Sequence, residues 1–375
     1  MSVEFIGMVS TSAGSESQGS TGPVVDPDYL DGFVRAHEEA GFDRVLVAHA
    51  SFMPDGFVVA DQILARSKKL GVLLAHRPGF VAPTIAARKY ATIDAFNPGR
   101  IALHVITGGD DADQARDGDL TDKATRYRRT DEFLDILRRE WESATPFDYD
   151  GDFYQIRGAW SAVRPPAGRI PIYFGGASDD AVRVGGKHAD VYAFWGEPLA
   201  GIVERIRQVR AAAAPYGRDP RFSVSLRPIP ADTEQAAWDR AAEILELTRE
   251  RSADIQKFLK GSEQVGSQRL LKYADEGDVH DKRLWTAIAK VTGAVGNSTA
   301  LVGSYEQVAE ALVDYVHVGV STLLIRGFDP VADARDYGSL VKLVHERTAD
   351  RDPVTGSGTP AVTAPAAPAA APASV

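Results

Sequence analysis

Gly175-Gly176-Ala177-Ser178 follows the apolar run Ile170-Pro171-Ile172-Tyr173-Phe174 and precedes a stretch able to form a helix. A buried strand ending this way presents backbone N–H groups and a hydroxyl at a helix N-terminus, where a phosphate is favoured. A tight strand-to-helix turn selects the same small residues for steric reasons alone. A second group, His104-Val105-Ile106-Thr107-Gly108-Gly109-Asp110, suits a heterocycle. Its Thr hydroxyl and Gly amides can bond ring carbonyls and nitrogens while leaving room for a flat ring, although a turn with an interior threonine reads the same way. Trp195 ends an apolar run before Gly196-Glu197-Pro198. It walls a ring, donates its N–H to an anion, or packs in the core. Arg227 lies within Val224-Ser225-Leu226-Arg227-Pro228, and Arg326 follows Leu323-Leu324-Ile325. Charges in such runs need an anion or a structural salt bridge.

These residues need a scaffold that brings them together. Eight β-rich runs recur: Glu4–Val9, Arg44–His49, Leu70–His76, Ile101–Thr107, Ile170–Phe174, Val191–Trp195, Phe222–Ile229 and Ser321–Arg326. Helical patterns separate them. Asp28–Ala40 stops at Gly41, Pro83–Asp94 opens on a proline suited to a first turn, and Leu199–Ala214 and Tyr305–Val318 repeat the theme. Strands alternating with helices imply parallel pairing, and eight of them predict an α/β fold of the (β/α)8 TIM-barrel type, with an open doubly wound sheet as the alternative. In such a barrel the active site lies at the C-terminal strand ends. His49, His76-Arg77, His104–Asp110, Gly175–Ser178, Trp195–Glu197, Arg227 and Arg326 all fall there, and three of the eight histidines end strands.

Two segments exceed what a minimal barrel of about 250 residues requires. Asp110–Arg169 holds a helix, Arg126–Ser143, and a hairpin-like stretch, Phe147–Tyr154. Arg249–Ser298 is polar and rich in charge and glycine; it reads as a mobile lid over residues 250–298, or as disorder. The expected domain organisation is one barrel over residues 1–350. Residues 351–375 form a Pro/Ala-rich tail with no charge after Asp352, composed to be disordered.

The formal charge of −10 argues against a general nucleic-acid or anionic-membrane binder. With no cysteine, disulfides, cysteine zinc sites and thiol catalysis drop out. No His-Glu-x-x-His or other metal-ligand spacing occurs, so no metal site is expected. Gly-x-Ser-x-Gly, Gly-x-x-x-x-Gly-Lys and Gly-x-Gly-x-x-Gly are missing too, against serine hydrolases, P-loop NTPases and Rossmann dehydrogenases. The first residues have no signal-peptide pattern, and no run reaches the ~18 apolar residues of a membrane span. A cytoplasmic location is the expectation.

Arg77-Pro78-Gly79, Pro83–Arg88, Ala91–Asp94, Asn97-Pro98-Gly99-Arg100 and Val105–Gly108 together resemble the bacterial luciferase-like flavin monooxygenases. Tyr173–Ser178, Trp195–Pro198 and Thr299–Gly303 strengthen the resemblance, which is closest to the alkanesulfonate monooxygenase branch and runs from about Val3 to Val344. It implies a TIM barrel that takes reduced FMN (FMNH2) from a separate NAD(P)H-dependent flavin reductase, with O2 as co-substrate. The implied reaction releases sulfite and an aldehyde from a sulfonate, in a homodimer or homotetramer. By the same resemblance Thr107 and Gly108 contact the isoalloxazine, and Tyr127, Gly176, Ala177 and Ser178 hold the phosphate. Residues near Arg249–Ser298 correspond to a loop that shields the reactive site from water.

The chain departs from that branch on the substrate side. Ser12 stands where a histidine is usual, Met53 aligns with a cysteine, Ser225-Leu226-Arg227 replaces an Arg-x-His pair, and Phe328 replaces a tyrosine. Thr292–Ser298 offers no clear lid arginine. The expectation is oxygenation of a different or larger organosulfur substrate, with Arg227, Arg326 or Arg77 binding an anionic group and His49 or His104 relaying a proton. A deazaflavin (F420) oxidoreductase and a non-catalytic flavin-binding protein are the alternatives.

Overall fold

The computed structural model describes residues 2–15, 17–20, 22–258, 264–294, 296 and 298–349. The tail expected to be disordered lies outside the described residues. In chain order β1 (Glu4–Met8), α1 (Pro27–Glu39), β2 (Arg44–Val47), α2 (Gly56–Arg66), β3 (Gly71–His76), α3 (Pro83–Phe96) and β4 (Ile101–Val105) alternate. An insertion follows, with α4 (Asp111–Arg116), α5 (Lys123–Glu142) and a hairpin of β5 (Phe147–Asp150) and β6 (Gln155–Ala159). Alternation resumes with β7 (Ile172–Gly175), α6 (Asp179–His188), β8 (Val191–Trp195), α7 (Leu199–Ala213) and β9 (Arg221–Ala231). A second insertion holds α8 (Glu234–Phe258), α9 (Val265–Glu276), β10 (Val279–His280), β11 (Leu284–Trp285), α10 (Ala287–Thr292) and β12 (Ala300–Ser304). The chain then completes its cycle with α11 (Tyr305–His317), β13 (Thr322–Ile325) and α12 (Ala332–Thr348).

Eight parallel strands close on themselves in the order β1-β2-β3-β4-β7-β8-β9-β13, with β13 returning to β1 through Glu4↔Thr322. They are the eight runs read from the sequence. Each is flanked by helices and so must be apolar on both faces; all six residues of β3 are buried. Ile6, Leu73, Ala102, Tyr173, Val191 and Leu324 fill the barrel interior, while a larger core lies between strands and helices. Helix starts follow local chemistry. Asp26 accepts hydrogen bonds from Asp28 N (3.0 Å) and Tyr29 N (3.1 Å) ahead of Pro27, and the Ser178 hydroxyl caps α6 by accepting from Ala181 N (3.3 Å).

Three expectations change. The hairpin is longer than Phe147–Tyr154: Phe147 pairs with Ala159 and Asp150 with Gln155. Glu132 accepts from the amides of Asp152 (2.8 Å) and Phe153 (3.0 Å), which pins the connecting turn. The stretch 249–298 is not an irregular polar loop. Among its described residues are the end of α8, then α9, β10, β11 and α10, whereas residues 259–263, 295 and 297 lie outside the described set. A ninth parallel strand, β12, pairs with the far half of β9 from Ala300↔Arg227 to Ser304↔Ala231. Beneath it Trp285, Ile288, Ala300, Val302 and Phe328 form a satellite core with α8. Among the described residues no helix is long and apolar enough to cross a membrane.

Candidate functional site

A cavity of about 410 Å3 lies at the C-terminal strand ends, reaching down to Leu73, Tyr173 and Leu324. A more open depression of about 470 Å3 against α1 and α2 is lined almost wholly by ions, with Arg66 Nε 2.5 Å from Asp31 Oδ1. It lacks the apolar walls that a small-molecule site uses. The barrel cavity has those walls and an inverted charge. In a chain of net charge −10, four cations (Arg77, Lys123, Arg205, Arg326) and one carboxylate (Glu197) line it.

One end is the turn from β7 to α6. Gly176 has φ +151°, and a Cβ there would lie 2.5 Å from Ala181 Cβ and 3.2 Å from Tyr127 Oη. Only glycine fits. Gly176, Ala177, Ser178 and Tyr127 all line the cavity, and the Tyr127 and Ser178 hydroxyls interact. Burial raises the Tyr127 phenol above its ordinary value, opposed by that Ser178 contact, so the hydroxyl stays a neutral donor. Lys123, in the first turn of α5, lines the same end. From α7, Arg205 donates to the carbonyls of Gly176 (3.0 Å) and Ala177 (3.2 Å). A donor set of hydroxyls, helix-start amides and two cations fits a phosphate.

Beside it lies the β4 turn. Gly108 has φ +88°, and a Cβ on it would fall 1.7 Å from Gln114 Nε2. Thr107 is buried with Oγ1 3.4 Å from Thr130 Oγ1, and Arg126 Nη2 donates to the Gly108 carbonyl at 3.4 Å. His104 lines the cavity and its Nδ1 is buried without a hydrogen-bond partner among the described residues. Burial lowers its pKa to about 4, so the imidazole is neutral at pH 7. This glycine-floored shelf with a threonine and a neutral histidine suits a flat heterocycle.

The opposite side carries His49, Arg77 and Arg326. Arg77 Nη2 is paired with Asp113 Oδ2, whose other oxygen accepts from Ser51 Oγ (2.5 Å) and Ser51 N (3.2 Å). His49 Nε2 is buried without a partner among the described residues, and burial followed by the Arg77 charge lowers its pKa. Arg326 Nη1 lies 3.5 Å from Met8 Sδ. The roof is Trp195, half-buried, with α9 laid against its ring: a Cβ on Gly266 would lie 2.9 Å from Trp195 Cζ3. Glu197, 5% exposed, holds α9 through Arg269, with Nε–Oε1 2.8 Å and Nη2–Oε2 2.6 Å.

The barrel thus gathers Thr107, Gly108, Tyr127, Gly176, Ala177, Ser178, His49, His104, Trp195 and Arg326 around one cavity. Arg227 is not among the lining residues. It is 1% exposed, donates from Nη2 to the Gly327 carbonyl (3.0 Å), and stacks 3.5 Å from the Phe328 ring centroid. Its place is where β9 leaves the barrel to pair with β12, and its charge is taken up there. Sequence reading passed over Arg205 and Lys123. Arg205 interrupts the buried stripe Ile202, Ile206, Val209 of α7, and an arginine at a stripe position was the available signal. Asp131, Asp135 and His188 are grouped closely enough to suggest a metal site, yet Lys187 Nζ sits between the carboxylates at 2.7 and 2.8 Å. The chain supplies that cation itself.

A closed parallel barrel with its cavity at the C-terminal strand ends defines an enzyme of the (β/α)8 class. The chain belongs to the luciferase-like monooxygenase family, whose model matches residues 4–322, and is an oxidoreductase of that family. Similar solved structures include a riboflavin lyase with modified FMN and substrate riboflavin, at 20% identity, TM-score 0.78, covering 93% of this chain and 92% of that one. The EDTA monooxygenase of Chelativorans sp. BNC1 follows at 18% identity, TM-score 0.76, covering 92% and 94%. An F420-dependent secondary alcohol dehydrogenase in complex with an F420-acetone adduct has 17% identity, TM-score 0.68 and coverage of 92% and 99%. At these identities the likeness is one of fold, and it spans several branches of the family.

Proposed function

We propose that this chain is the oxygenase component of a two-component FMNH2-dependent monooxygenase acting on a small anionic organosulfur substrate, an alkanesulfonate-type compound being the leading choice. The observation that carries the reading is the inverted charge of the cavity, with cations at both ends and neutral walls between. One end suits a phosphate and the other an anionic head group. Reduced FMN, when bound, supplies the chemistry of oxygen activation. Lys123, Tyr127, Gly176, Ala177 and Ser178 would hold its phosphate, and Thr107 and Gly108 its ring. The remaining steps belong to side chains. Arg326 and Arg77 orient the anionic head group by charge-assisted hydrogen bonds. Neutral His104 or His49 accepts and returns a proton at its ring nitrogen, a role open to an imidazole kept unprotonated by burial. Trp195 and the start of α9 would cover the ring and keep water from it.

The deciding experiment supplies FMN, an NAD(P)H-dependent flavin reductase and O2 to the purified chain with a panel of alkanesulfonates, sulfones and carboxylates, reading sulfite release and oxygen uptake. Sulfite from a sulfonate, lost in Arg326→Met, is the expected result. Productive oxygen uptake without sulfite would move the substrate to another class. Hydride transfer with F420, without oxygen uptake, would replace the oxygenase reading altogether.

A further inference from the structure

The peptide planes of the β7–α6 turn are held from behind. Arg205 grips the carbonyls of Gly176 and Ala177 at 3.0 and 3.2 Å, and the Tyr192 hydroxyl donates to the Gly176 carbonyl at 2.9 Å. In a planar trans peptide, a carbonyl and the N–H of the following residue point in opposite directions. Drawing these two carbonyls toward α7 and β8 therefore turns the N–H groups of Ala177 and Ser178 the other way. Both residues line the cavity, and neither N–H meets another protein acceptor among the described residues.

Arg205 is itself 4% exposed. It is fixed by Gln208 Oε1 (2.9 Å) and by the Phe194 ring, 5.9 Å from its guanidinium carbon. Among the described residues no carboxylate lies within ion-pair distance of it, so its immediate partners are neutral oxygens and its charge is unspent. A buried cation without a counter-charge is costly unless a ligand supplies one.

We propose that Arg205 is the positioning residue of this site: it aims two backbone amides into the cavity and leaves its charge for a phosphate monoester. The chain therefore selects a phosphorylated ring over the same ring without phosphate. The proposal rests on the reading that places a flavin phosphate at this turn.

The test is the ratio of dissociation constants for FMN and riboflavin, both dithionite-reduced under argon, followed by quenching of protein fluorescence in the full-length chain. The wild type should favour FMN. Arg205→Met should shrink that preference by about thirtyfold, the loss of hydrogen bonding and charge at one site, while riboflavin affinity changes less than about threefold. Arg205→Lys keeps the charge but cannot span both carbonyls and should lose about tenfold. Tyr192→Phe removes one donor to Gly176 and should cost about threefold. These last two variants carry the test if Arg205→Met does not fold. Equal weakening of FMN and riboflavin would reduce Arg205 to a packing residue and overturn the proposal. A wild-type preference for FMN that persists in the variants would overturn the clamp alone, and a wild type that does not distinguish the two ligands would overturn the phosphate reading with it.

Discussion

A methyl group on Gly108 would overlap Gln114 Nε2 while forcing a side chain into φ +88°. Gly108→Ala should therefore cost about 1–3 kcal/mol, as strain in the turn or as displacement of Gln114. The measurement is thermal unfolding beside flavin affinity, and an unchanged value of both would show that the shelf tolerates a Cβ. The buried histidines make a second residue-level prediction. Burial lowers His37 to about 4 and His76 to about 3. At pH above about 7.5, a unit over the unfolded value, both are neutral folded or unfolded and contribute little pH dependence. As pH falls below that value the unfolded chain takes up protons that the folded chain refuses, so stability falls toward pH 4. His76→Gln should flatten this acid limb by close to one proton in the slope of unfolding free energy against pH. A slope equal to the wild type's would mean that His76 titrates freely when folded. What the sequence disclosed at this scale was residue type at a strand end: His49, Thr107 and Ser178 carry their chemistry in their names. Arg205 and Arg227 could not be sorted that way. Both are arginines at buried positions among apolar neighbours, one on a helix stripe and one in a strand, and only packing decides that one lines the cavity while the other stacks on Phe328.

At the scale of elements, among the described residues the ionic tie of α9 to the barrel runs through Arg269, which reaches Glu197 and, at 3.5 Å, Glu204. Arg269 makes two hydrogen bonds to Glu197, whose own carbonyl accepts from the Tyr315 hydroxyl at 2.9 Å. Side-chain exposure is 6% for Glu197 and 25% for Arg269, so the pair is partly screened and the cost of breaking it sits below that of a fully buried one. Arg269→Gln should cost about 2 kcal/mol, mostly from the carboxylate left without its partner. Hydrogen exchange should accelerate across Val265–Glu276 and leave β1–β4 unchanged; global acceleration would mean that the pair supports the whole barrel. The barrel strands were readable because each must be apolar on both faces, which marks it as a short continuous run. The second insertion was not. β10 and β11 are two residues each, below any periodicity, and β12 becomes a strand only because β9, 11 residues long, runs on past the barrel to pair with it through Arg227–Ala231. Helix α9 is likewise polar in composition, and its buried side, Ser267, Leu270 and Ala274, is thin enough to pass for loop.

Across the whole molecule, stability and binding occupy opposite ends of the barrel. At the N-terminal end Glu4 ties four strands together. Its Oε2 accepts from Tyr173 Oη (2.5 Å) on β7 and Thr322 Oγ1 (2.9 Å) on β13, and its Oε1 accepts from Arg44 Nε (3.1 Å) on β2. Burial, then the Glu4 charge, pushes the Tyr173 phenol upward, which keeps it a donor at any working pH. Removing the carboxylate strands that hydroxyl and relaxes the cross-barrel tie, so Glu4→Ala should lower stability by about 2 kcal/mol. The opposite pole carries the cavity cations, on strand ends and on helices α5 and α7, and nothing in the Glu4 network includes Arg77, Lys123, Arg205 or Arg326. FMN affinity and turnover at saturating substrate should therefore stay within about twofold of wild type below the unfolding transition. Parallel denaturant titration and flavin titration at 15 °C separate the two quantities. A loss of flavin affinity equal to the loss of stability would show that the base of the barrel sets the geometry of its rim, and the division of labour between the two ends would have to be given up.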